Sequence, residues 1–257
     1  MKGELLKIEH LTASYGEEPV LKDILLGIGE GESVFLVGES GSGKSSLLRA
    51  VLGMENLTVV SGRVLYDGKD ITAAGGKQRR ELLGREIGFV PQNPAGSFNP
   101  LRRYEAQIRD IMGSHGLTWD PEEVTEILEK LDLKEGKKLL RMRPYEMSGG
   151  MNQRMAIASA MLLKPRILLC DEVTSALDTT TAARVVKELG MLCTQRKTAL
   201  LMATHHLGIA ARLADRIGII KDGRMTELGD TDRILTAPRE VYTKQLLMDV
   251  PRLGRGR

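Results

Sequence analysis

The chain has 257 residues, with 42% hydrophobic and 28% charged side chains, ordinary values for a globular protein that buries a sizeable core. This length fits one large domain or two intimate subdomains. A net charge of +3 and an aromatic content of only 4% argue against a nucleic-acid-binding surface, which is more basic and richer in stacking rings.

The N-terminal stretch MKGELLKIEHL carries charged residues throughout and does not have the pattern of a signal peptide. The longest apolar run, residues 155–163, is too short to span a bilayer. Cys170 and Cys193 lack metal-ligand spacing, so we expect two reduced thiols. These features predict a cytosolic chain unless a partner holds it at a membrane.

The first part of the chain reads as a β layer followed by a strand, a glycine-rich turn and a helix. Gly62, Asp67 and Gly68 are typical turn residues of a small N-terminal β layer. In SVFLVGESGSGKSSLLRAVLGM, residues 33–37 are short and apolar, as in a buried strand. The apolar residues after Lys44 recur at helical spacing, which predicts a helix directly behind the turn.

The turn itself, GESGSGKS, matches the phosphate-loop pattern G-x-x-x-x-G-K-[ST]. Glycines let backbone N–H groups converge on phosphate oxygens, and the helix that follows adds the positive end of its dipole. Lys44 is expected to reach the β- and γ-phosphates, and the Ser45 hydroxyl to coordinate Mg²⁺. A dinucleotide fingerprint is rejected because Ser46 stands in place of its third glycine. The predicted nucleotide-binding residues are Gly38, Glu39, Ser40, Gly41, Ser42, Gly43, Lys44, Ser45 and Ser46.

Three further buried strands are predicted at residues 87–90, 167–170 and 199–203, each followed by polar residues. In open α/β sheets that end of the strands is where ligands bind. Asp171 and Glu172 end one of them, in ILLCDEVTSALD. Asp171 would hold Mg²⁺, and Glu172 would polarise an attacking water. Hydrolysis is therefore favoured over two carboxylates that merely end a strand, although a P-loop kinase stays open on these two motifs.

Between residues 94 and 165 the periodicity becomes helical, with one apolar face. A helical subdomain inserted into an α/β core is the natural interpretation. Within it, MSGGMNQR opens a helix with two glycines, each of which costs about 1 kcal/mol inside a helix. Ser148 alone would suit an N-cap. An N-cap role does not explain why two glycines, Gly149 and Gly150, follow it.

With these motifs in place, the chain resembles the ATP-binding subunits of ABC transporters over nearly its whole length. MSGGMNQR is similar to that family's signature sequence. Tyr15 stands where the family has an adenine-stacking aromatic residue, and Gln92 where a glutamine contacts Mg²⁺ and senses the γ-phosphate. SALD, residues 175–178 and including Asp178, matches the D-loop. His205 matches the switch histidine that contacts the γ-phosphate, and the whole series of motifs disfavours the kinase alternative.

The resemblance implies a P-loop NTPase (RecA-like) core, with an antiparallel β layer at the N-terminus and the inserted helical subdomain. It divides the chain into an ATPase core at 1–92 and 166–225, a helical subdomain at 93–165 and a C-terminal extension at 226–257. It also implies a head-to-tail pair of ATPase subunits that encloses ATP. Ser148, Gly149 and Gly150 would then face the γ-phosphate bound by the other subunit, since paired glycines permit close approach of the backbone.

The sequence departs from the family at several places. Val173 replaces the usual proline after the acidic pair, which predicts a looser turn. Met147 and Met151 flank the signature serine and glycines without affecting the backbone argument. His206 follows the switch histidine in place of aspartate. A metal-binding His205–His206 pair is the alternative, but we expect neighbouring side chains to point in different directions.

The stretch PQNPAGSFNPL and the tail APREVYTKQLLMDVP are similar to the oligopeptide, dipeptide and nickel importer subfamily. This resemblance implies an importer of nickel, metal chelates or peptides at the cytoplasmic face of the inner membrane. Its partners would be a different second ATPase chain, two permeases and, indirectly, an extracytoplasmic binding protein. Residues 93–117 would grip a permease through Phe98 and Leu101 if these apolar side chains are exposed, although both could equally belong to the core of the helical subdomain. The alternative function is a nucleic-acid-associated ATPase of the same superfamily.

Overall fold

The computed structural model describes residues 3–54, 56–174 and 179–248, and within them the chain has an α/β architecture. Its strands are β1 (Glu4–Tyr15), β2 (Glu18–Gly29), β3 (Ser33–Val37), β4 (Thr58–Tyr66), β5 (Lys69–Asp70), β6 (Ile87–Val90), β7 (Ile167–Asp171), β8 (Ala199–Thr204), β9 (Arg216–Lys221) and β10 (Arg224–Asp230). Its helices are α1 (Lys44–Leu52), α2 (Gly76–Leu82), α3 (Tyr104–Ser114), α4 (Pro121–Lys130), α5 (Gly136–Arg141), α6 (Gly149–Leu162), α7 (Thr179–Arg196), α8 (Leu207–Leu213), α9 (Thr231–Thr236) and α10 (Val241–Met248). Short 3₁₀ turns lie at Pro94–Ser97 and Pro144–Glu146.

The four buried strands predicted around the phosphate loop and the acidic pair are confirmed. β3 and β6 have the predicted bounds, and β7 and β8 each extend one residue further. None of the described helices is both long enough and apolar enough to cross a membrane.

The described chain forms two compact units. The residues up to Arg79 and from Ala199 onward make the first unit, and Arg80–Thr198 make the second. The second unit therefore takes β6 and β7 together with the helices between them. The domain bounds derived from the sequence place those strands in the ATPase core, and that division stays a prediction.

The first unit contains an antiparallel sheet in the order β2-β1-β4-β5, which confirms the N-terminal β layer. Asp67 and Gly68, with φ of 48° and 74°, make the turn between β4 and β5, as predicted. Gly62 is not a turn residue, because it lies inside β4 where the pairing with β1 shifts register. A Cβ there would lie 2.3 Å from the carbonyl oxygen of His10, so only glycine fits this bulge.

The rest of the first unit is built on strands in the order β10-β9-β3-β8. β3 runs parallel to both β8 and β9, with Val37 opposite Thr204 and Ile219. Because parallel neighbours end at one edge, the loop after β3 and the residue after β8 emerge side by side. All six residues of β8 are buried, so this edge is anchored in the core.

The second unit pairs β6 with β7 in parallel, Val90 lying opposite Cys170. Helices α3–α6 lie between these strands in the chain, which confirms the predicted helical insertion. The α4 N-terminus shows why helices form here: the Asp120 carboxylate accepts the amides of Glu122 and Glu123 at 2.9 and 3.3 Å, and Pro121 occupies the first turn. The apolar residues of this helix that recur at helical spacing are buried, namely Val124, Ile127 and Leu128.

Both cysteines are free thiols buried in the second unit. Burial raises the pKa of Cys193 to about 12, and it also raises the pKa of Cys170. Since the thiolate is the reactive form, these groups are chemically quiet.

Candidate functional site

The phosphate loop in the first unit requires glycine at two positions. A Cβ on Gly38 would lie 2.2 Å from the carbonyl oxygen of Ile220, so the backbone of β9 leaves no room for a side chain. Gly43 has φ of 108°, which L side chains rarely adopt, and a Cβ there would lie 3.1 Å from the carbonyl oxygen of Val20. The loop conformation is therefore set by its packing against neighbouring strands.

Lys44 is nearly enclosed by this loop, since the residue is only 3% exposed. Its ammonium donates hydrogen bonds to the carbonyl oxygens of Gly38 at 2.8 Å and Glu39 at 2.7 Å. Helix α1 begins at Lys44, and its N-cap Gly43 provides no side-chain acceptor for the first amides. A buried ammonium at the positive end of a helix dipole is a setting that fits phosphate.

The remaining loop residues differ in exposure. Glu39, Ser40 and Gly41 are exposed, whereas Ser42 is buried. The Ser42 carbonyl accepts the amide of Gly223 at 2.9 Å. Gly223 lies in the turn between β9 and β10, so this hydrogen bond fixes the phosphate loop to that turn. Ser45 and Ser46 are half-buried in the first turn of α1.

A C-terminal side chain also reaches the loop. The Tyr242 hydroxyl, on α10, accepts the amide of Glu39 at 3.2 Å. Sequence reasoning missed this residue as part of the site. It lies within the tail that resembles the importer subfamily, but that resemblance carried no indication that the tail contacts the phosphate loop.

Tyr15 is the last residue of β1 and is half-buried. Its hydroxyl accepts a hydrogen bond from the Arg49 guanidinium at 3.3 Å. Arg49 belongs to α1, so the predicted adenine-stacking ring is tied to the helix that follows the phosphate loop. Arg49 is a second residue that the motifs did not single out.

His205 follows β8 directly and is exposed. Its ring lies against that of His206, with centroids 3.9 Å apart and planes tilted by 45°. The expectation that these side chains point in different directions is wrong, because the residues lie in a turn where the alternation of a strand no longer applies. Among the described residues, no group of three or more His, Cys, Asp or Glu side chains forms a candidate metal cluster.

In the second unit, Gln92 and the acidic pair follow the paired ends of β6 and β7. The Gln92 amide donates a hydrogen bond to the Glu172 carboxylate at 3.1 Å. Asp171, the last residue of β7, is only 4% exposed. The parallel register thus brings together two sequence motifs that are 80 positions apart.

Glu172 has φ of 44°, in the left-handed region that few residues other than glycine adopt. Such conformations persist where the surroundings impose them, and they are enriched at functional sites. Val173, which replaces the family's proline, is 1% exposed and packs in the core. The following SALD stretch, including Asp178, lies outside the described residues.

The signature stretch begins helix α6, as the sequence predicts. Ser148 is the N-cap, and its Oγ accepts the Met151 amide at 3.3 Å. Gly149 and Gly150 are the first residues of the helix, and Ser148 and Gly149 are exposed. Their small size leaves the helix N-terminus open to an incoming group.

The side chains of α6 hold this helix start in place. The Arg154 guanidinium donates to the Gly150 carbonyl at 3.2 Å and to the Asp132 carbonyl at 3.1 Å. The Asn152 amide donates to the Pro144 carbonyl at 3.1 Å, and its oxygen accepts the Tyr104 hydroxyl. These supporting contacts were not evident from the motif itself.

The stretch at residues 93–117 exposes only one of its two singled-out apolar side chains. Phe98 is 6% exposed and packs edge-on against Tyr104, with centroids 4.9 Å apart, so of the two alternatives for this residue the core position is the one observed. Leu101 is 76% exposed. The ring of Tyr104, the first residue of α3, explains the difference, and Phe98 belongs to the core of the helical segment.

Comparison with known proteins gives a consistent picture. A family model described as ABC transporter matches residues 21–175. The metal-staphylopine import system ATP-binding protein CntD of Staphylococcus aureus is 33% identical over 95% of this chain and 92% of its own length. The dipeptide transport ATP-binding protein DppD of Caldanaerobacter subterraneus is 35% identical over 96% of this chain and 78% of its own length.

The peptidoglycan transport ATP-binding protein YejF of Agrobacterium fabrum is 37% identical over 86% of this chain, which spans only 42% of that protein's length. Among solved structures, the dimeric post-hydrolysis state of the ATP-binding cassette MJ0796 bound to ADP and Pi aligns with a TM-score of 0.77. That match has 28% sequence identity and covers 88% of this chain and 98% of the cassette.

Proposed function

Because the chain belongs to the ABC transporter family and is an ATP-hydrolysing subunit coupled to transport, we propose that residues 38–46 hold the phosphates of ATP. Gln92, Asp171 and Glu172 would act on the same nucleotide. The observation that carries this proposal is Lys44, an almost fully buried cation inside the loop. The ammonium and the positive end of the α1 dipole both attract an anion at this loop, which supports phosphate as the ligand.

Three side chains of the first unit have distinct roles in this proposal. Lys44 binds and orients the β- and γ-phosphates. The Tyr15 ring stacks on adenine, and its hydrogen bond from Arg49 limits its rotation. His205, which is exposed after β8, contacts the γ-phosphate.

In the second unit, Glu172 is the general base. Its carboxylate accepts the proton of the attacking water, a function that contributes about 10²–10⁴ to a rate. The Gln92 amide, hydrogen-bonded to it, fixes the direction of the carboxylate. Ser45, Gln92 and Asp171 would hold Mg²⁺, which neutralises charge on the phosphoryl oxygens when bound.

The signature residues serve a second ATPase subunit in this proposal. Ser148, Gly149 and Gly150 face the γ-phosphate of ATP held by that subunit, so each site is completed across a dimer. The exposed start of α6 supports this role, because its amides and the Ser148 hydroxyl are donors for an anion. The relative of known structure with bound ADP and Pi is itself described as a dimer.

The transport function that fits best is import of peptides or of nickel and other metal chelates. The similar proteins are described as dipeptide transport and metal-staphylopine import ATP-binding proteins, which favours transport over the nucleic-acid-associated alternative. The subunit would pair with a different ATPase chain on two permeases at the cytoplasmic face of the membrane. An extracytoplasmic binding protein would deliver the cargo. Residues 93–117 would contact the permease, with exposed Leu101 as one contact.

Glu172→Gln tests the mechanism in the assembled transporter. We expect ATP to bind with unchanged affinity at this site and hydrolysis there to fall about 100-fold or more, because the amide cannot take a proton. Nucleotide retained on the purified complex should be ATP and not ADP. Glu129→Gln, at an exposed position on α4, is the matched control and should turn over like the wild type. Wild-type turnover at this site in Glu172→Gln would exclude the carboxylate as base.

A further inference from the structure

The C-terminal helix α10 contacts the phosphate loop through one buried side chain. Tyr242 is 8% exposed, and its hydroxyl accepts the Glu39 amide at 3.2 Å. The Lys221 ammonium lies 4.6 Å from the centroid of the same ring, a cation–π contact that holds the ring from the side of β9. Burial raises the pKa of the Tyr242 hydroxyl, so it stays neutral at physiological pH.

This contact controls the orientation of one peptide group. The N–H of the Gly38–Glu39 peptide donates to Tyr242, while its C=O accepts a hydrogen bond from the Lys44 ammonium at 2.8 Å. A peptide group is planar, so holding its N–H also sets the direction of its C=O. The Tyr242 hydroxyl therefore determines where a carbonyl that holds Lys44 points.

Tyr242 is itself placed by contacts that do not involve the loop. The Glu227 carboxylate on β10 accepts the amides of Arg239 at 3.1 Å and Glu240 at 3.3 Å, directly before α10. The Arg233 guanidinium donates to the same carboxylate at 2.9 Å. Glu227 is 7% exposed, so these bonds are shielded from water. The start of α10 is thereby anchored independently of any nucleotide.

We propose that Tyr242 is a positioning residue for nucleotide binding: its hydroxyl holds the Gly38–Glu39 peptide so that Lys44 is presented to the phosphates. This inference rests on the proposed role of residues 38–46 in binding ATP. Without the hydroxyl, the Glu39 amide loses its acceptor and the peptide gains rotational freedom. ATP binding must then restrict the conformation of this peptide, and the entropy lost in doing so lowers the affinity for ATP.

Tyr242→Phe tests the inference in the purified full-length chain, with ATP binding measured by displacement of a fluorescent ATP analogue. Loss of one neutral hydrogen bond should raise the Kd for ATP about fivefold. Tyr145→Phe removes the same oxygen from a tyrosine that is 62% exposed, and it should leave the Kd unchanged. The thermal unfolding midpoint of both variants should stay close to that of the wild type.

A spectroscopic measurement separates positioning from a general structural role. The Glu39 amide hydrogen should exchange slowly in the wild type and faster in Tyr242→Phe, and its nitrogen and proton chemical shifts should move. Rapid exchange of the Glu39 amide in the wild type would overturn the inference without any variant. The inference would also be overturned if the rise in the Kd for ATP of Tyr242→Phe were fully accounted for by a loss of folded protein.

Lys44→Ala distinguishes this inference from the proposed function beneath it. If ATP still bound Lys44→Ala with wild-type affinity, the assignment of the phosphate loop would fail. If Lys44→Ala lost affinity while Tyr242→Phe stayed within about twofold of the wild type, only the role of Tyr242 would be refuted.

Discussion

Two arginines share the carboxylate of Asp132, and they are expected to differ sharply in their contribution to stability. Arg154 on α6 contacts the Asp132 carboxylate at 3.2 Å, and its side chain is 13% exposed. Arg184 on α7 pairs with the same carboxylate, but its side chain is 54% exposed. The two arginines therefore allow a comparison of a partly buried and a solvated ion pair with one common acceptor.

The expected magnitude for Arg154→Ala follows from its contacts. Its guanidinium donates to the Gly150 carbonyl, the Asp132 carbonyl and the Asp132 carboxylate at 3.2, 3.1 and 3.2 Å. At about 1 kcal/mol for each shielded contact, Arg154→Ala should lower the free energy of unfolding by about 3 kcal/mol. Arg184→Ala should cost about 0.5 kcal/mol, because water screens an exposed pair.

Urea unfolding followed by the fluorescence of Trp119 measures this difference. Trp119 is the chain's single tryptophan and belongs to the same compact unit as Arg154. With a urea dependence of about 2 kcal/mol per molar, Arg154→Ala should move the midpoint down by about 1.5 M. Equal shifts for the two arginine variants, or a loss below about 1 kcal/mol for Arg154→Ala, would refute the assignment of these contacts as shielded.

Gly43→Ala should weaken ATP binding at least about tenfold in an equilibrium titration, because φ of 108° is strained for alanine, whereas Gly75→Ala, which meets no atom within 4 Å, should bind normally. Burial raises the pKa of Glu227, but its hydrogen bonds outweigh burial and leave the pKa below its ordinary 4.5. The stability that this carboxylate contributes is thus present above pH 4.5 and lost as the pH falls through the lowered pKa. Glu227→Gln should therefore lower the free energy of unfolding by about 1–2 kcal/mol at neutral pH. In chemical denaturation at acidic pH, the difference in unfolding free energy between this variant and the wild type should disappear. Leu101→Ala should leave ATP affinity unchanged and reduce transport per ATP hydrolysed in reconstituted vesicles; unaltered transport would remove residues 93–117 as the permease contact.

Short contiguous patterns were sufficient for much of the fold. Each of the four buried strands is an apolar run bounded by polar or glycine residues, so its existence depends on local sequence alone. The phosphate loop, the helix after it and the N-cap at Ser148 follow from the same kind of local chemistry. The family resemblance gave the order in which the motifs follow one another, and it named Tyr15, Gln92 and His205 as residues to examine.

Local patterns failed where a residue's environment comes from elsewhere in the chain. Gly62 looks like a turn residue, but pairing with β1 makes it a bulge. Phe98 fitted either an exposed contact or the core on sequence alone, and its packing against Tyr104 decides for the core. His205 and His206 were expected to diverge, yet the turn after β8 brings their rings together.

The amino-acid sequence by itself determined the four buried strands and the helices that begin at Lys44 and Gly149, because those properties depend on neighbours within a few positions. The tertiary structure alone decided that Gln92 meets Glu172 and that Tyr242 supports the amide of Glu39. The second contact joins residues 203 positions apart. A hydrogen bond over that separation depends on how strands and helices pack, and no local periodicity encodes such packing.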